Sequence, residues 1–378
     1  MDSPALPAIA TEIREQPAIL RRILARAVAE IGALVEPRRH RRVHFVGCGD
    51  MHFASEATAW LARPPSSAGV AIRAWRSMDL RWAATGIDGE DLVVCSSVSG
   101  RTPRTIEAAL EALRHGARVV AITDNDRSPL VDVVGSRYLL ETSPPDALAV
   151  GAYPGYHHQV AQTKTFTAAL LAQILVAARA SGRVLGELAA LPTAVDATID
   201  AFDAARDLVI ARCFAGRARV EVLASGPYLP IARYGAAKFL EYAIPAHAQC
   251  LEEFNHLEIF VADESTLAIV LAPDDASRTR AAELLASWER VGLRAIVVGA
   301  GGDYPGASTA VFELMADVAS GGASAQSFAL AVALQEIAWR GARALGRDVD
   351  RWLGGVRTDL HNRVSRRTVR GETGRGEA

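Results

Sequence analysis

Short apolar runs recur along this chain with segments of helical period between them, and that alternation restricts the fold more than any other feature. Runs at 43–46, 70–74, 92–95 and 119–122 are accompanied by helix-like segments near 52–63, 103–115 and 160–182. Runs of this kind read as strands buried on both faces, and strands alternating with helices imply βαβ units and a parallel sheet. The rhythm then repeats, with runs at 220–224, 267–271 and 295–298 and helices near 229–244, 276–291 and 324–345. The chain of 378 residues therefore divides into an N-terminal helical segment (1–37), a first domain (38–185), a second of similar layout (195–345) and a C-terminal tail (346–378). The first segment carries a helical stripe at Ile19, Leu20, Ile23, Leu24, Ala27, Ile31 and Leu34. The expected class is α/β, two doubly wound parallel sheets in tandem.

Composition excludes several function classes. Half of the residues are hydrophobic, enough apolar surface to rule out disorder as the main state. Basic and acidic residues number 41 and 43, a net charge of −2 that argues against a dedicated nucleic-acid binder. Cys48, Cys95, Cys213 and Cys250 lie far apart without metal-type spacing, so a reducing cytoplasm is expected, with neither a disulfide framework nor structural zinc. The acidic, proline-interrupted start does not read as a signal peptide, and no apolar run reaches the roughly 18–20 residues that span a bilayer. Only two of the 41 basic residues are lysine, Lys164 and Lys238. Arginine does not replace lysine where a compact ammonium is needed, which draws attention to both.

The most specific motif is Ser97-Val98-Ser99-Gly100-Arg101-Thr102-Pro103, directly after an apolar run and opening a helix. Thr102 suits the N-cap and Pro103 the first helical position. Free backbone N–H groups and the positive helix end make such a turn an anion cradle suited to phosphate, with Arg101 and Arg104 adding charge. An ordinary Ser/Thr-capped helix carries the same residues. The corresponding turn of the second half, Ala272-Pro273-Asp274-Asp275, has two carboxylates that cap a helix and repel phosphate. Ligands of doubly wound sheets bind at the carboxyl ends of strands, so the site is expected where the first domain's loop faces the second domain. Gly47-Cys48-Gly49 lacks the third glycine of a dinucleotide fingerprint, since His52 stands there. Lys238 and Glu241 fall on one face of an apolar helix, followed by Glu253-Phe254-Asn255-His256. Spacing leaves open whether these are a surface pair and a structural histidine or acid–base groups.

Together these segments resemble the tandem sugar isomerase (SIS) domains found in the isomerase half of glucosamine-6-phosphate synthase, to about residue 350. Glu12-Ile13-Arg14-Glu15-Gln16-Pro17 is similar to the family's opening segment, and Gly47-Cys48-Gly49 to its first-strand turn. The 97–102 loop is similar to its phosphate loop, and Thr163-Lys164-Thr165-Phe166-Thr167 to its TK-x-FT helix. Gly235-Ala236-Ala237-Lys238-Phe239-Leu240-Glu241 and Glu253-Phe254-Asn255-His256 are similar to its catalytic segments.

The resemblance implies a cofactor-independent aldose–ketose isomerase acting on a sugar phosphate or amino-sugar phosphate through an enediol, a route that needs no metal. It implies Glu241 as the base, Lys238 beside it, and His256 assisting ring opening from the neighbouring subunit of a homodimer. Ser97, Ser99 and Thr102 would hold the phosphate, with Cys48, Gly49, Asp50, Val98, Val160 and Arg357 completing the binding set. A small-molecule sugar phosphate is the expected partner, with neither nucleic acid nor membrane. The departures are Asp50-Met51 in place of Thr-Ser, Val98 in place of Gln, and a tail in which Arg357 stands in for the family's basic residue. No glutaminase segment is present, so release of ammonia from glutamine is not expected. The alternatives are an amino-sugar phosphate deaminase or deglycase using the same residues, and a non-catalytic sugar-phosphate sensor.

Overall fold

The computed structural model describes residues 7–65, 69–142, 161–305 and 309–350. Among them ten strands form two five-stranded sheets in which all neighbours are parallel. The first contains β1 (Arg42–Gly47), β2 (Ala71–Arg76), β3 (Asp91–Ser96), β4 (Arg118–Thr123) and β5 (Arg137–Leu139), in the order β2-β1-β3-β4-β5. The second contains β6 (Arg219–Ala224), β7 (Ala246–Cys250), β8 (Thr266–Ala272), β9 (Arg294–Gly299) and β10 (Thr309–Glu313), in the order β10-β9-β8-β6-β7. From its β7 edge the second sheet has the same winding as the first. The first strand lies second from an edge, and the third to fifth strands extend the other way.

The central strands are buried because their residues are apolar on both faces. Val43 pairs with Leu92 and Val93 with Val119; Val222 pairs with Ile269 and Ile269 with Ile296. All are 4% exposed or less. The edges depart from expectation. The run at 70–74 reads as a buried strand, yet β2 is an edge strand whose residues range from partly buried to exposed. The other edges, β5, β7 and β10, lack a continuous apolar run and were not anticipated. An edge strand has one unpaired side and needs less apolar covering, so its sequence signal is weak.

Within the described residues the chain forms two compact units. One is built from 22–142 and 168–185 and holds the first sheet; the other is built from 7–21, 161–167 and 186–350 and holds the second. The helices Ala8–Leu34 and Lys164–Ala180 each begin in the second-sheet unit and end in the first-sheet unit. Pro17 lies inside the first of these helices, where its missing N–H deprives the Ile13 carbonyl of a partner. The Gln16 side chain supplies one, donating from Nε2 to that carbonyl at 3.0 Å. Helices Asp50–Leu61, Pro103–Arg114, Leu229–Glu241 and Asp275–Trp288 follow β1, β3, β6 and β8, so the candidate turns stand at strand carboxyl ends.

Candidate active site

In the first-sheet unit the 97–102 turn leaves β3 and enters helix Pro103–Arg114. Gly100 has φ +61°, and a side chain there would lie 2.0 Å from the Ser128 hydroxyl, so the turn needs glycine for both conformation and space. The Asn125 amide donates to the Ser99 carbonyl at 3.2 Å and the Thr123 hydroxyl to the Val98 carbonyl at 3.1 Å, bracing the turn from the end of β4. Thr102 occupies the N-cap position with Pro103 behind it, as expected. Its hydroxyl, however, pairs with that of Ser97 at 3.0 Å and makes no capping bond to the helix. Ser99 accepts from the Arg101 N–H at 3.1 Å. Three hydroxyls thus converge on a helix start whose first N–H groups have no intrahelical partner. Arg101 is exposed, while Arg104 is held by Glu107 at 2.6 Å.

Beside this turn, Gly49 takes φ +54° and Asp50 opens helix Asp50–Leu61, partly buried in its first turn. A carboxylate at a helix N-terminus is favoured by the helix dipole. The Thr105 hydroxyl bonds Ser77 at 2.9 Å and reaches Cys48 Sγ at 3.9 Å, tying the turns after β1 and β2 to helix Pro103–Arg114. Ser77, Thr123, Asn125 and Ser128 are supports that sequence reasoning missed. Polar residues following each apolar run were their only signal.

The second-sheet unit brings three other motifs together. Lys238 and Glu241 share one face of helix Leu229–Glu241, as expected, with Nζ donating to Glu241 Oε1 at 2.8 Å and to the Gln162 carbonyl at 3.1 Å. The lysine is 1% exposed, whereas the Glu241 side chain keeps 25% of its surface open. The ammonium lies 5.0 Å from the centre of the Tyr234 ring, which stacks on Phe166 at 3.6 Å. The Tyr234 hydroxyl accepts from Gln335 at 2.9 Å, Gln335 accepts from Gln16 at 2.7 Å, and Gln16 accepts from the Thr167 hydroxyl at 2.8 Å. One Glu12 oxygen receives both the N–H and the hydroxyl of Thr163, and Lys164 pairs with Glu15. The opening segment and the TK-x-FT helix thus form a hydrogen-bonded polar frame next to the Lys238 helix, in which the buried Thr165 hydroxyl meets no partner among the described residues.

His256 ends helix Leu251–His256 with its side chain 65% exposed and Nε2 3.4 Å from Glu252. The exposed apolar residues Leu257, Phe260 and Val261 follow it. Val160 and Arg357 lie outside the described residues. Among the described residues no group of three or more His, Cys, Asp or Glu is arranged to hold a metal ion, and no helix is long and apolar enough to cross a membrane.

Comparison with known proteins agrees with this architecture. Residues 38–172 match the SIS domain family. The chain is 28% identical to glutamine–fructose-6-phosphate aminotransferase (isomerizing) of Thermus thermophilus and 29% identical to that of Aquifex aeolicus, each over 90% of its own length. It spans 56% and 55% of those proteins, about half the length of these curated relatives. Among solved structures, the C-terminal domain of glucosamine-fructose-6-phosphate aminotransferase from Francisella tularensis superposes with a TM-score of 0.71 at 20% identity, covering 93% of this chain and all of that one. Tagatose-6-phosphate ketose/aldose isomerase from Escherichia coli gives 0.70 at 21% identity, covering 94% of this chain and 98% of that one. Glucosamine-6-phosphate deaminase from Thermotoga maritima gives 0.67 at 16%, with coverages of 90% and 96%. At these identities the structural likeness establishes the fold. Residues 38–172 thus match the SIS domain family, and the chain is homologous along about 90% of its length to the isomerase domain of glutamine–fructose-6-phosphate aminotransferase.

Proposed function

We propose that this protein is an aldose–ketose isomerase of a sugar phosphate or amino-sugar phosphate, built from two SIS domains in tandem and working without a cofactor. The observation that carries the reading is the Lys238–Glu241 pair, a buried ammonium 2.8 Å from the carboxylate of a side chain that is one quarter exposed. Glu241 would take the proton from the carbon next to the carbonyl and return it to the neighbouring carbon, the enediol lying between the two steps. The hydroxyls of Ser97, Ser99 and Thr102 would bind the phosphate, with Cys48, Gly49, Asp50 and Val98 around it. The shared strand order of the two sheets supports the tandem arrangement. His256 would serve ring opening across a homodimer. Its exposure, and the exposed Leu257, Phe260 and Val261 after it, suit a segment covered by a second copy.

The test is exchange of solvent deuterium into C1 and C2 of a panel of sugar phosphates. An isomerase exchanges, and Glu241→Gln lowers exchange more than about 10²-fold while binding persists. Binding without exchange in the unaltered protein would instead indicate a sensor. A second reading, a deaminase or deglycase, is favoured by Asp50, a carboxylate at the start of the helix that follows β1, in the same unit as the hydroxyl turn; it would pair with a substrate ammonium.

A further inference from the structure

Tyr242 directly follows Glu241, caps the helix Leu229–Glu241 at its C-terminus, and is 4% exposed. Its hydroxyl is sealed from solvent and meets no hydrogen-bond partner among the described residues. Phenylalanine would fill the same space without that oxygen, and an unsatisfied buried hydroxyl lowers stability. The surroundings sharpen the point. The charges acting on this phenol are Glu241 and Lys238 from its own helix, Glu12 from helix Ala8–Leu34, and Asp350 after helix Gly322–Ala344. Burial first, and then the Glu241 carboxylate, push the phenol far above its ordinary range against the opposing pull of Lys238. It is therefore a neutral O–H donor at any working pH, with no acceptor engaged among the described residues. Local rules broken beside a reactive group, without local compensation, point to function.

We infer that Tyr242 is a positioning residue for the Glu241 carboxylate: its O–H is held in reserve and donates to that carboxylate when substrate is bound, fixing the orientation in which the base takes its proton. The inference rests on the isomerase reading above. Removing a donor from a carboxylate makes the carboxylate harder to ionise, which gives the test a direction.

The experiment compares the full-length protein with Tyr242→Phe by thermal melting and by deuterium exchange on an active sugar phosphate from pH 5 to 9. The expected result is an unchanged or higher Tm, retained substrate binding, a roughly tenfold loss of exchange per folded molecule, and an acid limb moved upward by about half a pH unit or more. Exchange and pH profile equal to the unaltered protein would overturn the inference and leave the isomerase reading standing. A fall in Tm would overturn it as well, by showing that the hydroxyl has a structural partner. Absence of exchange in the unaltered protein on every substrate removes both.

Discussion

Lys238 sets its ammonium 2.8 Å from the Glu241 carboxylate and 3.1 Å from the Gln162 carbonyl, joining two segments 76 residues apart through one fully buried side chain. Truncating the cation leaves a carboxylate and a carbonyl without it, whereas neutralising the Glu241 carboxylate leaves an amide oxygen that still accepts. Lys238→Met is therefore expected to lower stability by about 3 kcal/mol, and Glu241→Gln by under about 1 kcal/mol. Urea unfolding of the two variants checks this. Equal losses would mean that the pair is a stabilising bridge and not a carboxylate held ready for chemistry.

Gly100 backs onto Ser128. A Cβ at position 100 would overlap the Ser128 hydroxyl and would also have to adopt φ +61°. Gly100→Ala is expected to distort the hydroxyl turn, costing about 1–3 kcal/mol of local strain and weakening inorganic phosphate binding at least about tenfold. Calorimetric titration with phosphate measures it. Ser128→Ala combined with Gly100→Ala should recover little of the affinity, because the Cβ of residue 128, 2.4 Å from the added one, still overlaps it.

Asp50 opens the helix that follows β1. If the carboxylate selects an ammonium, Asp50→Thr should reduce the preference for amino-sugar phosphates over neutral ones by about tenfold, the scale of one charge-assisted hydrogen bond. Competition kinetics between a matched pair of substrates gives the ratio. A ratio that does not move removes the case for deamination.

His44 supplies a pH dependence. It is 2% exposed, its Nδ1 accepts from the Trp75 indole at 2.9 Å, and burial pushes it from 6.5 down to about 4, with Asp91 opposing. Between those values the unfolded chain takes up a proton that the folded chain refuses. The stability contribution is thus complete above pH 6.5 and is lost as pH falls toward 4. A drop of roughly 2 kcal/mol between pH 7.5 and 5 is expected, flattened in His44→Gln. Urea midpoints at the two pH values decide it.

The fold was legible where strands are central. The runs at 43–46, 92–95, 119–122, 220–224, 267–271 and 295–298 fall within β1, β3, β4, β6, β8 and β9, because strands covered on both faces must be predominantly apolar. Among the strands, the departures lie at the sheet edges. β2 is more exposed than its residues imply, and β5, β7 and β10 carry too little apolar patterning to be seen. At the site, the helical spacing of Lys238 and Glu241 put them on one face, and the glycine and proline of the 97–103 motif marked a turn into a helix. The pairing of the Thr102 hydroxyl with Ser97 instead of the helix was not legible, since an N-cap residue and a loop hydroxyl are written with the same letter.

By itself the sequence determined the class of fold, the positions of its central strands and the residue types available for chemistry, because these follow from the period of apolar positions and from local backbone preferences. Only the tertiary structure decided which groups meet. The Gln162 carbonyl on Lys238, Ser128 against Gly100, Gln16 under Gln335 and the unpartnered hydroxyl of Tyr242 all depend on segments distant in the chain. Their contacts are set by packing, and packing has no local period from which it can be read.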